Sequence, residues 1–282
     1  MNNLKYFFGK NTNEELKELS FLLTKVFKKK FDLNYLIWLY RDNPNGKAIT
    51  FNISKNKKIV GHYAVIPSEI VIGNKIYKAA LSLNTAVDDN FRGKGFFKIM
   101  ATKTFGKCLK KKIKFIFGVS NNQSTALFEK YFDFKNYGEL NVIYGFGNVN
   151  QKKNDKKFKI NWNKKSLNWR LRNPNKNYDV YYNKQNNIEI NYKILNCINI
   201  HMGNFDKKFF KNRKLNKINF SILNVKIGLG KNYLNNLLYF NLPKNLKPSP
   251  LNFILKDLSL KKNNLKIKRQ HIFFQLIDFD AF

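Results

Sequence analysis

Acidic residues are scarce in this chain. Its 282 residues hold 18 Asp and Glu against 53 Lys and Arg, a formal net charge of +35. Metal-binding side chains are scarce too, with three histidines and two cysteines. Cys108 and Cys197 lie far apart, and His62, His201 and His271 are scattered. No metal-like spacing joins them, which argues against a zinc site or a disulfide framework and fits a reducing cytoplasm. No apolar run approaches the roughly 18 residues needed to span a bilayer. Residues 1–15 show no apolar stretch followed by a small-residue cleavage site, so no signal peptide is expected. Hydrophobic residues are plentiful at 43%, enough for a substantial core, which argues against disorder. The length suits one large or two ordinary domains.

A charge of +35 ordinarily points to nucleic acid or an anionic surface. Here the excess is nearly all lysine, with arginine only at Arg41, Arg92, Arg170, Arg172, Arg213 and Arg269. Clusters such as Lys28-Lys29-Lys30 and Lys110-Lys111-Lys112 are spread along the chain rather than gathered on one element. Asn, Ile, Phe, Tyr and Lys dominate throughout, as an AT-rich coding bias would produce. The favoured reading is a solvated, lysine-rich surface rather than a polyanion footprint. That surface still draws anionic ligands.

Thr12 followed by Glu15 marks a helix start with a capping box. Leu16, Leu19, Leu23 and Val26 then recur at helical spacing. A second helix is predicted over 33–40, stopping before Asn43-Pro44. Strands are predicted over 48–53, 59–66 (ended by Pro67), 69–72 and 75–87, with Gly73-Asn74 as a turn. A helix over 96–111, a buried strand over 113–119, a helix over 124–131 and a strand over 140–146 follow. This order implies a mixed sheet with helices on both faces. The Lys-rich stretch 152–159 reads as a linker. Beyond it, Trp169-Arg-Leu-Arg172-Asn-Pro174 echoes Trp38-Leu-Tyr-Arg41-Asp-Asn-Pro44. Strands are predicted over 178–182 and 188–195, a helical piece over 205–215, a strand over 219–227 and a helix over 232–239. Further strands are expected near Phe253 and over 271–279. The repeated order suggests a duplication.

The segment 81–97 is a strand that ends in the turn Arg92-Gly93-Lys94-Gly95 and opens into a helix. The first turn of a helix has backbone N–H groups without intrahelical partners and a positive dipole end. Glycines let a ligand approach the backbone closely. Such a turn is a cradle for a pyrophosphate.

This segment resembles the acetyl-CoA-binding motif of the GNAT acetyltransferases, Arg/Gln-x-x-Gly-x-Gly/Ala. Arg92 matches the first position and Gly95 the fourth, while Phe97 stands where a small residue is usual. The resemblance covers about residues 59–144. It includes Gly61-His-Tyr-Ala-Val-Ile-Pro67 and Val119-Ser-Asn121-Asn122. It is nearest to the type associated with surface polysaccharides. It implies an α/β (α+β mixed) GNAT fold with a mixed, mostly antiparallel central sheet. Residues 1–150 would be the acetyl-CoA-binding domain and 151–282 a degenerate GNAT-like second domain without the phosphate loop. The implied function is an N-acetyltransferase moving an acetyl group from acetyl-CoA to the primary amine of a small acceptor, an amino sugar or a nucleotide-linked amino sugar.

Carried over by position, Ala86 and Val87 would hold the pantetheine arm, and Arg92, Gly93, Lys94, Gly95, Phe96 and Phe97 the pyrophosphate. Asn121 or Asn122 would contact pantetheine beyond the strand over 113–119, which would splay from the motif strand. Phe128 falls where the family often has a tyrosine acid, and Tyr131 is the candidate replacement. Asn84 and His62 are the remaining catalytic candidates, with Glu69 a lesser one. His62 also reads as an inert, hydrogen-bonded strand residue. Asp88 and Asp89 serve the turn, and Trp38, Trp162, Trp169, Cys108 and Cys197 read as core. Two rival readings remain: an aminoacyl transferase of tandem GNAT-like build using charged tRNA, and a non-catalytic basic binding protein on the same scaffold. The first rival is disfavoured by the pyrophosphate loop. Phe97 and Phe128 keep the second open.

Overall fold

Thr12 begins the first helix as its pattern requires. Its hydroxyl accepts from the amide of Glu15 (3.4 Å) at the head of α1, Asn13–Phe27. The capping box is only half made, because the Glu15 carboxylate turns instead to the amides of Lys10 and Asn11. Leu16, Leu19, Leu22 and Leu23 face the core. Lys28 closes the helix in the left-handed region (φ 52°). The second helix, α2 (Leu33–Tyr40), stops where Asn43-Pro44 requires. The computed structural model describes residues 4–146, 157–182, 187–194, 197–210, 223–230, 238–243, 246–247, 250–259 and 265–280.

An edge strand, β1 (Leu4–Phe8), precedes α1, and β2 (Ile49–Lys55), β3 (Lys58–Ile72) and β4 (Lys75–Val87) follow α2. Pro67 was expected to end a strand, yet β3 runs through it to Ile72. The Pro67 carbonyl accepts from the Asn43 side chain (2.7 Å). In a strand the N–H and C=O of one residue point to the same side, so the missing Pro67 donor faces away from β4. There it removes no ladder bond. After β4 come α3 (Phe96–Lys110), β5 (Phe115–Ser120), α4 (Asn122–Phe132), β6 (Lys135–Glu139) and β7 (Asn141–Gly145).

The second half contributes β8 (Phe158–Ile160), α5 (Lys164–Arg170), β9 (Tyr178–Tyr182), β10 (Asn187–Ile194), β11 (Ile198–Asp206) and β12 (Leu223–Leu229). It ends with β13 (Tyr239–Asn241), β14 (Asn252–Asp257) and the two-residue β15 (Phe274–Gln275). The helical piece expected over 205–215 is strand to Asp206 and then a 3-10 turn, Lys207–Phe210; residues 211–215 lie outside the described ones. Of the helix expected over 232–239, residues 232–237 lie outside the described ones and Tyr239 is in a strand. Residues 219–222 are likewise outside. The strand expected over 271–279 is short, flanked by the 3-10 turns Arg269–His271 and Leu276–Asp278. Phe158 and Lys159, read as linker, pair with Ile72 and Val71 of β3. Cys197 is exposed, not core, whereas Cys108 is buried.

The sheets are mixed and mostly antiparallel. The first runs β1-β2-β3-β4-β5-β14-β6, with β8 also on β3; the second runs β13-β7-β12-β11-β10-β9, with β15 on β12. Residues 150 and 151 divide the chain but not the sheets. The late strand β14 sits between β5 and β6, and the early strand β7 sits beside β12. The first half thus lends β7 to the second sheet, and the second half lends β14 and β8 to the first. The order repeats as well: the parallel pair β4–β5 recurs as β11–β12, each followed outward by a borrowed antiparallel strand.

The Trp echo is the joint between the halves. Trp38 and Trp169 stack at 4.9 Å, and each indole N–H donates to the other's carbonyl (2.9 and 3.0 Å). The Arg170 guanidinium covers both rings. Asn43 and Asn173 close matching turns, each side chain accepting from the amide two residues on. The larger core cluster is continuous from Leu16 and Leu39 of the first half to Ile190, Phe274 and Phe279 of the second. A smaller one lies beneath α3 and α4.

A fragment of residues 1–150 lacks β14, so the far edge of β5 is bare and β6 loses its only described neighbour. Its urea titration is expected to show no cooperative transition where the full chain shows one. A cooperative, monomeric fragment would mean that the borrowed strand is dispensable.

Candidate functional site

Two parallel strands that part leave backbone groups unpaired between them. β4 and β5 pair only from Ala79–Ser82 to Phe115–Gly118. β4 then continues to Val87 with no described strand on that side, while β5 runs on through Val119 and Ser120. The expected splay is therefore present. On its other side β4 pairs with β3, but Ala64 opposes Leu83 and His62 opposes Ala86, so Asn84 and Thr85 face Tyr63 alone. This bulge puts Asn84 at φ 54°, a left-handed conformation that asparagine tolerates.

The wedge opens into a cavity of about 880 Å³. Its walls come from both halves: Ser82 to Thr85, Val119 to Asn121 and Phe128 on one side, and Tyr192, Ile194, Ile200, Met202, Ile227 and Leu276 on the other. Phe31, Tyr35, Lys29, Lys30 and Lys176 line its rim. None of the described lining residues is a carboxylate. Lys176 is held by buried Asp280 (2.5 Å), which also takes bonds from Asn173 and Tyr178. Lys29 has no salt bridge among the described residues. Desolvation and then the Lys176 cation push its pKa down.

The second half has the same parting strands but fills the gap itself. β11 and β12 pair as far as His201–Lys226, and β15 then lies against Gly228 and Leu229. The Gln275 side chain accepts from the amide of Asn204 (2.7 Å). A Cβ at Gly203 would meet that side-chain oxygen at 3.1 Å. Where the first half leaves room for a ligand, the second half inserts its own chain.

The glycine turn lies at the end of β4. Gly93 and Gly95 have φ 77° and 71°, and a Cβ at either would meet nothing within 4 Å. Gly95 caps α3 and, like Arg92, Gly93 and Lys94, is exposed. The first-turn amides of α3 therefore face open space. Arg92 is steadied by Asp89 (2.7 Å), and Asp88 accepts from the amide of Asn90 and pairs with Lys25 (2.8 Å). Both acids serve the turn, as expected. Ala86 and Val87 pair with β3 on one edge and face the wedge with the other.

The two departures from the family pattern pack on each other. Phe97 meets Phe128 edge-on at 5.0 Å, and Phe128 also packs on Tyr63 and Phe134. Tyr131 is exposed, lies outside the cavity lining, and has Lys98 over its ring at 5.3 Å. Asn121 caps α4 by accepting from Ser124 N (2.8 Å), and Asn122 accepts from Asn252 of β14 (2.8 Å). Glu69 accepts from Asn161 and so ties the halves rather than facing the cavity.

His62 is wholly buried and does not line the cavity. Its Nε2 is 3.0 Å from the Tyr40 hydroxyl and its Nδ1 is 2.6 Å from Asn52 Oδ1. Desolvation pushes its pKa down to about 3, so the ring is neutral at physiological pH. Sequence reasoning missed Tyr40 and Asn52 as site residues and saw in Glu15 only a helix cap. Tyr40 falls at a core position of α2, and no local pattern separates it from an ordinary buried aromatic.

Residues 9–131 match the family model of the acetyltransferase (GNAT) domain. A conserved protein of unknown function from Enterococcus faecalis V583, described as a probable N-acyltransferase, is similar in structure. It superposes with a TM-score of 0.60 at 11% identity, over 91% of this chain and 74% of that one. A GCN5-related N-acetyltransferase from Anabaena variabilis gives 0.61 at 12% identity, over 90% and 73%. Likeness at such identities speaks for the fold alone. No curated protein sequence matches the chain.

The buried histidine sets a pH dependence. The unfolded chain binds the His62 proton near pH 6.5 and the native chain only near 3. Stability is full above 6.5 and falls through this window, by about 1.4 kcal/mol per pH unit from this group. In urea titrations across pH 4–7, His62→Gln is expected to flatten the acid loss relative to wild type. An unchanged slope would mean that the ring is not held neutral.

The open wedge and the glycine turn thus lie in or beside a stretch, residues 9–131, that matches the GNAT acetyltransferase domain, and such a domain indicates an acyltransferase.

Proposed function

We propose that the protein transfers an acetyl group from acetyl-CoA to the primary amine of a small, anionic acceptor. The observation that carries this reading is the wedge between β4 and β5, open at one end to the glycine turn and at the other to the cavity between the halves. In this reading the amides from Gly93 to Phe97, with Arg92 and Lys94, hold the pyrophosphate. Ala86 and Val87 offer unpaired strand groups to the pantetheine arm, with Asn121 and Asn122 at the far wall. Acetyl-CoA supplies the activated acyl group.

The chain's own part is positioning. Holding amine and thioester in one slot can supply roughly 7–11 kcal/mol of the barrier. Among the described lining residues there is no carboxylate or histidine to act as a base, so in this reading the amine reacts in its neutral form. Phe128 cannot protonate the departing thiolate, and exposed Tyr131 is outside the cavity, so the thiolate leaves with solvent as its proton source. An acceptor carrying phosphate or carboxylate suits Lys29 and Lys30 at the rim, and the described lining residues form no acidic wall for polycations. An amino sugar bearing phosphate, or a nucleotide-linked amino sugar, combines the amine, the anion and the size.

Isothermal titration with acetyl-CoA is expected to give one site of micromolar order (about −8 kcal/mol). Arg92→Ala combined with Gly95→Val should abolish it while circular dichroism stays unchanged. Thiol release with glucosamine 6-phosphate should then exceed that with spermidine. Equal affinity in the folded double variant would sink the loop assignment, and a preference for spermidine would sink the acceptor class.

A further inference from the structure

A chain of hydrogen bonds runs from the cavity to the start of α1. Asn84 Nδ2 donates to the Tyr40 hydroxyl (3.0 Å), which is 3.0 Å from His62 Nε2. His62 Nδ1 is 2.6 Å from Asn52 Oδ1, and Asn52 Nδ2 donates to Glu15 Oε1 (2.6 Å). The other Glu15 oxygen accepts from the amides of Lys10 (2.7 Å) and Asn11 (3.1 Å). Tyr40, His62 and Asn52 are completely buried.

Chemistry gives this chain one direction. An ionised carboxylate only accepts, so Asn52 must turn its NH₂ to Glu15 and its oxygen to His62. His62 Nδ1 must then carry the proton, which leaves Nε2 as an acceptor. The Tyr40 O–H donates to Nε2, and its oxygen is free to accept from Asn84. The Asn84 carboxamide is thereby locked with its nitrogen toward Tyr40. Its oxygen bonds no described residue, and Asn84 lines the cavity. Left to itself an exposed carboxamide would flip freely.

We propose that this one-way chain positions Asn84 so that its Oδ1 accepts an N–H of the acceptor amine and aims the nitrogen lone pair at the thioester carbon. The proposal rests on the acyltransferase reading. Asn84 is the residue that touches substrate; Tyr40, His62, Asn52 and Glu15 are positioning residues that act through it. The chain is not a proton wire, because neutral carboxamides at Asn52 and Asn84 break proton relay. In the reaction the C–N bond forms, the C–S bond breaks, and the sulfur leaves with the electron pair. One amine proton passes through solvent to the thiolate, giving amide and free thiol. The pH dependence therefore follows the acceptor amine and not His62.

The test uses hydroxylamine as the amine, since it is small and uncharged at neutral pH, with full-length protein and acetyl-CoA. Wild type should release thiol faster than the uncatalysed mixture. Tyr40→Phe should lose about tenfold or more in kcat with the KM for acetyl-CoA unchanged, and Asn84→Ala should fall at least as far. A long-range proton–nitrogen spectrum of ¹⁵N-histidine wild-type protein should show His62 protonated on Nδ1 and unprotonated on Nε2 throughout pH 5–9. Equal rates in wild type and Tyr40→Phe, no rate above background in a protein that binds acetyl-CoA, or an Nε2-protonated His62 would each overturn the proposal. Failure to bind acetyl-CoA would instead remove the acyltransferase reading, and the histidine spectrum would still decide the direction of the chain.

Discussion

Parallel strands can pair only while they run side by side, and β4 and β5 do so for four residue pairs. Past Ser82 and Gly118 the backbone donors and acceptors between them have no strand partner. Such a wedge must be filled, because unpaired polar backbone is costly wherever water is excluded. The two halves fill it differently. In the second half β15 and the Gln275 side chain close the gap. In the first half the gap stays open and meets a helix N-terminus with free amides. The first half thus has an open wedge and the second a self-sealed one, and the second half serves as a wall of the cavity through Met202, Ile227 and Leu276.

The halves are held together by more than surface contact. β7 and β14 are exchanged, so each sheet is completed by a strand from the other half. The Trp38–Trp169 pair adds stacking and two reciprocal hydrogen bonds. Aromatic pairs of this kind contribute about 0.5–1.5 kcal/mol beyond the burial of their surface. Strand exchange also fixes the cavity, because its two walls belong to sheets that cannot separate without breaking ladders.

The substitutions that set the chain apart from the family motif occupy one place. Phe97 brings bulk where a small residue is usual, and Phe128 lacks the hydroxyl of a tyrosine acid. Side by side they form an apolar patch with Tyr63 and Phe134. The polar contacts of this stretch lie elsewhere, where Asn84 of β4 donates to the Tyr40 hydroxyl.

Local patterns in the sequence determined the helices at Thr12 and Leu33, the strand–turn–helix around Arg92 to Gly95 and the matching turns of the Trp-to-Pro echo. These rest on propensity, capping and side-chain period, which act over a few residues. They failed where the controlling contact was remote. Pro67 reads as a strand end, yet it stands where its missing N–H has no ladder bond to lose. The segment near residue 271 reads as a strand, yet only Phe274 and Gln275 are strand, where they plug a wedge against β12. His62 reads as a possible base, yet tertiary packing buries it beneath Tyr40 and makes it neutral. Which residues share the cavity, and which way the Glu15-to-Asn84 chain points, was decided only by tertiary structure. Those partners lie up to 44 residues apart along the chain, and a hydrogen bond takes its direction from the group at its far end.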